Sequence, residues 1–166
     1  MFNHKMYTLS RHCGIELKKN KLRLVTAESC TGGLLASLIT SIAGSSAYFD
    51  GGYVTYHNQA KIKLLRVSIN SLKIFSAVSE EVASEMALGA LYNSNAEISI
   101  SITGVAGPDS DEWNNPIGKV CFAFANKNNI KISTMTCCFN GNRNKIRICA
   151  VVTALKYLLI FLQNND

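Results

Sequence analysis

Apolar and polar positions along this chain follow two rhythms, and the switches between them divide it into short segments. In residues 7–19, Leu9, Cys13 and Leu17 recur at every fourth position, which predicts a helix. Residues 22–27 are a short apolar run that predicts a strand, and a helix over 31–42 follows, ending at Gly44. Gly51 and Gly52 stand before a further strand at 53–56, and a helix restarts near Asn58, carrying Lys61, Leu64 and Leu65. Ser79 is placed to cap the next helix. Glu80 and Glu81 in its first turn suit the positive helix end, and Val82, Met86 and Ala90 recur at i+4 as a buried stripe.

Residues 98–103 alternate as a half-buried strand does. A loop follows that holds both prolines of the chain, Pro108 and Pro116. "KVCFAFA" and "IKISTMTCCF" predict two strands, and the short polar "NKNN" between them predicts a hairpin. A last helix is expected from near Asn142 to near Leu162. Helices alternating with strands, then a hairpin and a helix, predict a layered α/β domain. The hairpin sets one strand antiparallel, so the sheet is expected to be mixed. There is no internal repeat, linker or low-complexity segment, so residues 1–166 are expected to form one domain.

Composition narrows the picture a little. Apolar residues make up 48% of the chain, enough for a proper core. The formal charge is +6, with basic residues loosely bunched at Lys18, Lys19, Lys21 and Arg23 and at Arg143, Lys145 and Arg147. A nucleic-acid surface concentrates such residues on one stripe, so no nucleic-acid partner is expected. A basic surface equally attracts a phosphorylated metabolite. The six cysteines form no C-x-x-C pair, so no metal site is expected from them. The start lacks the apolar segment of a secretory signal, and reduced thiols in a cytoplasmic protein are the expectation. The apolar stretch 148–162 is interrupted by Lys156 and is too short for a membrane span. It reads as a helix buried in the core or in a subunit contact, and a homo-oligomer, a dimer first, is expected on that ground.

Candidate chemistry begins at "TAESCTGG", residues 26–33. A strand ending near Glu28 and a helix beginning near Thr31 put Ser29 and Cys30 at the carboxyl end of a strand, where open α/β sheets bind ligands. Unpaired helix amides there can hold an anion or a developing oxyanion, and Gly32 and Gly33 allow close approach. The same residues also suit a capped, closely packed helix start, and the stretch alone does not choose. Ser29 needs an activator to be a nucleophile. The histidines offer none: His4 precedes the first helix, His12 lies within it, and His57 stands beside the second strand with nothing to fix it. A lysine serves if burial lowers its pKa, and Lys61 follows a strand expected to neighbour the first. Tyr56, at the end of that strand, could relay a proton or simply pack. "TGVAGPD", residues 103–109, again follows a strand with glycines but is unlike a Walker A loop. Arg143 in the first turn of the last helix opposes the macrodipole, which is compatible with gripping a phosphate or with a plain surface arginine.

Four blocks in one order carry a resemblance: "TAESCTGG", "IAGSSAYFDGGYVTYHNQAK", "AVSEEVASEMALGAL" and "SITGVAGPD" with "PIGKVCFAFA". Over residues 9–162 the chain resembles the CinA C-terminal domain family, in its stand-alone bacterial PncC type. The resemblance implies a three-layer α/β/α sandwich with a mixed, mostly parallel sheet. It implies hydrolysis of the amide of nicotinamide mononucleotide to nicotinate mononucleotide and ammonia, with no cofactor. By matching motif it implies Ser29 as nucleophile, Lys61 as its base and Tyr56 as an assisting hydroxyl. It further implies Thr103, Gly104 and Arg143 lining the pocket; in such a reaction the amides around Cys30 and Thr31 would stabilise the oxyanion, and Gly32 beside them is expected to bind substrate. Cys30 is the rival nucleophile, because a thiolate near a helix start is intrinsically more reactive.

Departures from the family pattern bear on substrate preference and rate. An acidic G-D-R-D of many relatives is here Gly141, Asn142, Arg143 and Asn144, and the segment after the G-P-D motif brings Trp113 to a pocket-rim loop. The alternative reading is a non-catalytic pyridine-nucleotide-binding module of the same fold. The family's competence-related name raises a third, DNA association, against which the lack of one basic stripe counts.

Overall fold

The computed structural model describes residues 2–163. The chain opens with α1 (His4–Lys19), capped by the Asn3 side chain accepting from the Met6 amide. His4 therefore starts this helix rather than preceding it, because the Asn3 cap sits earlier than the apolar periodicity reveals. Then come β1 (Leu24–Glu28), α2 (Leu34–Thr40), a 3₁₀ turn (Ser45–Ala47) and β2 (Phe49–Val54). They are followed by α3 (Asn58–Leu65), α4 (Ile69–Phe75), α5 (Glu80–Tyr92), β3 (Ile98–Gly104), β4 (Lys119–Asn126), β5 (Lys131–Cys138) and α6 (Arg143–Gln163).

Three elements depart from expectation, each for a local reason. The second helix starts at Leu34 rather than near Thr31, because Gly32 and Gly33 take left-handed φ of 59° and 89° and hold the preceding turn out of helical geometry. Gly51 and Gly52 lie inside β2 rather than before it. A Cβ on Gly52 would stand 2.6 Å from Thr26 Oγ1, so the glycine permits close pairing of β2 against β1. The short α4, capped by Ser68, has only Leu72 buried, too little to leave a periodic signal.

The strand order is β2-β1-β3-β4-β5. Strand β1 is parallel to both its neighbours, while β4 is antiparallel to β3 and β5, so β4 alone runs against the rest. Helices cover both faces, giving a three-layer α/β/α sandwich with a mixed sheet. On one face α1, α2 and α6 bury Leu17, Leu35, Leu38, Leu155 and Leu158 against Ile98, Ile100, Ile102 and Phe122. On the other, Val82, Met86 and Ala90 of α5 pack with Val25, Ala27 and Ala123. The alternation of β3 turns its hydroxyls to this second face. Ser99, Ser101 and Thr103 donate to the carbonyls of Ala87, Ala83 and Ala77, which fixes the end of β3 against the start of α5.

Helix α6 is long and apolar enough to cross a bilayer by length and composition alone. Its Ile146, Ala150, Val151, Ala154, Leu155, Leu158, Phe161 and Leu162 are nevertheless buried within the chain. Its apolar composition is thus answered largely by the chain's own core, with Tyr157 and Ile160 left exposed.

Candidate active site

The carboxyl ends of β1, β2 and β3 meet at one edge of the sheet, and two hydrogen bonds lock them together. The Ser29 amide donates to Ile102 O at 2.9 Å, and the Thr55 amide donates to Glu28 O at 2.8 Å. Beyond β1 the chain makes a tight turn in which Gly32 N donates to Ser29 O at 3.0 Å. Glu28 is only 1% exposed, and its carboxylate accepts from the amides of Gly33, Leu35 and Ala36 at 3.1, 3.0 and 2.8 Å. The start of α2 is therefore capped by the chain's own carboxylate and is not an open anion site, contrary to expectation. The amides left without a protein acceptor among the described residues are those of Cys30 and Thr31, one turn earlier.

The segment after β2 delivers Lys61. His57 is exposed and caps α3 by accepting from the Gln59 amide, so it takes no part in activating Ser29. Four residues on, Lys61 points back under the turn that carries Ser29 and is 1% exposed. Its Nζ donates to Ser29 Oγ at 2.9 Å, to Thr55 O at 2.8 Å and to Tyr56 O at 3.3 Å. No carboxylate pairs with it among the described residues. Burial lowers its pKa from 10.5 to about 8, opposed weakly by the neighbouring Cys30. When neutral, the amine has two N–H groups and one lone pair. The two carbonyls occupy the N–H groups and leave the lone pair facing the Ser29 hydroxyl.

The Cys30 thiol beside it is shifted the other way. Burial pushes its pKa up to about 12, so the thiolate that would make it a rival nucleophile is scarce at neutral pH. Burial thus opposes the activation expected of a position near a helix start.

Ser29 and Lys61 open into a cavity of about 440 Å³, within the range of small-molecule sites. Cys30, Tyr56, Thr103, Gly104 and Arg143 line it as well, whereas Thr31 and Gly32 do not. Thr31 is fully buried, and its carbonyl accepts from Arg147 Nη2 at 2.8 Å. Thr103 donates to Ala77 O at 2.7 Å. At Gly104 a Cβ would lie 2.7 Å from Lys119 O, so close strand packing explains the glycine. Arg143 donates to Gly107 O at 2.6 Å and to the Tyr56 hydroxyl at 2.7 Å, which joins the start of α6 to the loop after β3 and to the end of β2.

Sequence reasoning missed Glu28, Thr55, Asn58 and Arg147, as well as three acidic residues that line the cavity, Asp109, Asp111 and Glu112. Glu28 had a legible signal, a carboxylate just ahead of a helix start. The others are placed by tertiary contacts. Among the described residues, no group of three or more His, Cys, Asp or Glu side chains is arranged to hold a metal ion.

Residues 6–162 match the CinA C-terminal domain. The chain belongs to that family. Other members resemble it over their whole length. The nicotinamide-nucleotide amidohydrolase PncC of Escherichia coli K12 is 45% identical over 166 residues, which is 99% of this chain and 100% of that one. PncC of Enterobacter agglomerans is 45% identical over 159 residues, 96% of each chain. Among solved CinA-type structures, the competence/damage inducible protein CihA of Agrobacterium tumefaciens superposes with a TM-score of 0.92 at 40% identity, covering 98% of both chains.

Proposed function

We propose that this CinA domain is a cytoplasmic amidohydrolase of pyridine-nucleotide salvage. It hydrolyses nicotinamide mononucleotide to nicotinate mononucleotide and ammonia, with Ser29 as nucleophile and Lys61 as base. The observation that carries the reading is the 2.9 Å contact between Lys61 Nζ and Ser29 Oγ, made by a buried lysine without a carboxylate partner. The full-length likeness to amidohydrolases named for this nucleotide supplies the substrate class.

The geometry supports the following steps. Neutral Lys61 takes the Ser29 proton as Oγ attacks the carboxamide carbon. The carbonyl oxygen becomes an oxyanion, for which the amide of Cys30, a residue of the cavity lining, is the available donor, an interaction on the order of 3–4 kcal/mol. Lys61, now an ammonium, returns the proton to the leaving nitrogen, and ammonia departs with cleavage of the C–N bond. Water then gives a proton to Lys61 and attacks the serine ester. Collapse releases the carboxylate product, and the proton returns to Ser29 Oγ. Arg143 is the candidate ligand for the phosphate, and the Tyr56 hydroxyl that accepts from it keeps its own proton to donate.

The test is stoichiometric. The purified protein, incubated with nicotinamide mononucleotide, is expected to release ammonia and nicotinate mononucleotide in equal amounts. Nucleotide left intact by folded protein would refute the reading.

A further inference from the structure

The cavity lining carries the wrong charge for a site that takes only an anion. Residues 105–118 bring Asp109, Asp111 and Glu112 to the lining, against Arg143 and Lys61. Three negative and at most two positive charges leave the lining net acidic at neutral pH. The carboxylates of Asp109 and Glu112 have neither an ion pair nor a hydrogen-bond partner among the described residues. They are not gathered for a metal ion either. Positive charge on a phosphorylated ligand favours its entry into such a cavity.

Trp113 stands in the same lining. Its position is built: Asp111 Oδ1 accepts from the amides of Trp113 and Asn115 at 3.1 and 2.8 Å. The Asn115 amide group ties the segment to Asp111 Oδ2 and to Ser76 Oγ, and Lys119 Nζ donates to Asn115 Oδ1. Trp113 is 47% exposed and borders the cavity. An indole face beside unpaired carboxylates is the surface that attracts a flat organic cation.

We infer that Trp113, with Asp109 and Glu112, recognises the positive charge of a pyridinium ring and so sets the specificity of the site. The inference rests on the substrate proposed above, whose ring nitrogen is quaternised by the ribose and therefore cationic. The acidic residues take the ring, Arg143 takes the phosphate, and a lining that holds both signs of charge suits a ligand that carries both. Ring recognition orients the carboxamide; it does not enter the bond-making steps.

Reduced nicotinamide mononucleotide separates charge from shape, because its dihydropyridine ring is neutral. Binding of both forms to the Ser29→Ala protein is measured by calorimetry. For the oxidised form, quenching of the single tryptophan reads Trp113 directly. The oxidised form is expected to bind about tenfold more tightly. Trp113→Ala, or Asp109→Asn combined with Glu112→Gln, is expected to bring the two affinities within about twofold, while Trp113→Phe keeps most of the preference. Equal affinity of the Ser29→Ala protein for both forms overturns the inference, as does failure to bind either.

Activity distinguishes the two readings. Ammonia release whose KM is unchanged in the Trp113→Ala and doubly amidated proteins retains the amidase and removes the ring wall. A clear preference for the oxidised form without ammonia release retains the wall and removes the amidase.

Discussion

A buried lysine with no carboxylate beside it is unfavourable to folding, and Lys61 is held in that state where its unprotonated form is useful. Its folded pKa of about 8 sets the expected pH dependence. As the proposed base, Lys61 must be neutral, so kcat/KM should rise with pH through about 8 and level off above it. Stability carries the same signature. The folded value lies below the ordinary 10.5, so between the two the unfolded chain binds the extra proton, and the lysine's contribution grows more favourable as pH rises across that window. Below it the contribution is flat. The difference in unfolding free energy between wild type and Lys61→Met isolates this group from the cysteines that titrate nearby. It should move toward wild type by up to about 3 kcal/mol from pH 7.5 to 10.5 in denaturant titrations, and a pH-independent difference would contradict the assignment. Ser29, Lys61, Tyr56 and Arg143 were legible as residue types at strand and helix ends. Their convergence was not, since nothing in the spacing fixes that Lys61 reaches back to Thr55 O and Ser29 Oγ.

Among the elements, the turn between β1 and α2 depends on Glu28. One carboxylate holds three amides, so Glu28→Ala leaves buried donors unpaired. A loss of about 2–4 kcal/mol in urea unfolding is expected, with activity falling as the turn that carries Ser29 loosens. Little change in either would remove Glu28 as the organiser of the turn. The contact between α3 and α5 is equally tight: a Cβ on Gly89 would meet Leu65 O at 1.9 Å. Gly89→Ala must push apart the helix that carries Lys61 and the helix that backs it. Lowered stability and lowered kcat should therefore appear together. These close approaches are what the sequence withholds. Periodicity identified α1, α3, α5 and the hairpin of β4 and β5, because each has an apolar side at regular spacing. It placed the start of α2 too early and passed over α4, where left-handed glycines and a single buried leucine decide the outcome.

Over the whole molecule, the sheet gathers chemistry from separated stretches at one edge. Ser29 comes from the end of β1, Lys61 from α3 after β2, Thr103 from the end of β3, the acidic loop from beyond it, and Arg143 from the start of α6. The two apolar layers enclose one sheet, so loss of either face should unfold the other. A single coincident transition by circular dichroism and tryptophan fluorescence is expected, and two separate transitions would argue for independent units. The order of elements made the layered fold readable, whereas the mixed charge of the cavity became visible only once residues 105–118 were seen to share its lining with Arg143. The central claim, that Ser29 and not its neighbour carries the reaction, rests on two residues adjacent in sequence and opposite in chemistry. The most direct measurement is ammonia release from nicotinamide mononucleotide by wild type, Ser29→Ala and Cys30→Ala, each checked for native fold. Ser29→Ala should lose at least about a thousandfold in kcat, and Cys30→Ala should keep its activity within about tenfold of wild type. Turnover that survives in Ser29→Ala and disappears in Cys30→Ala would contradict the account.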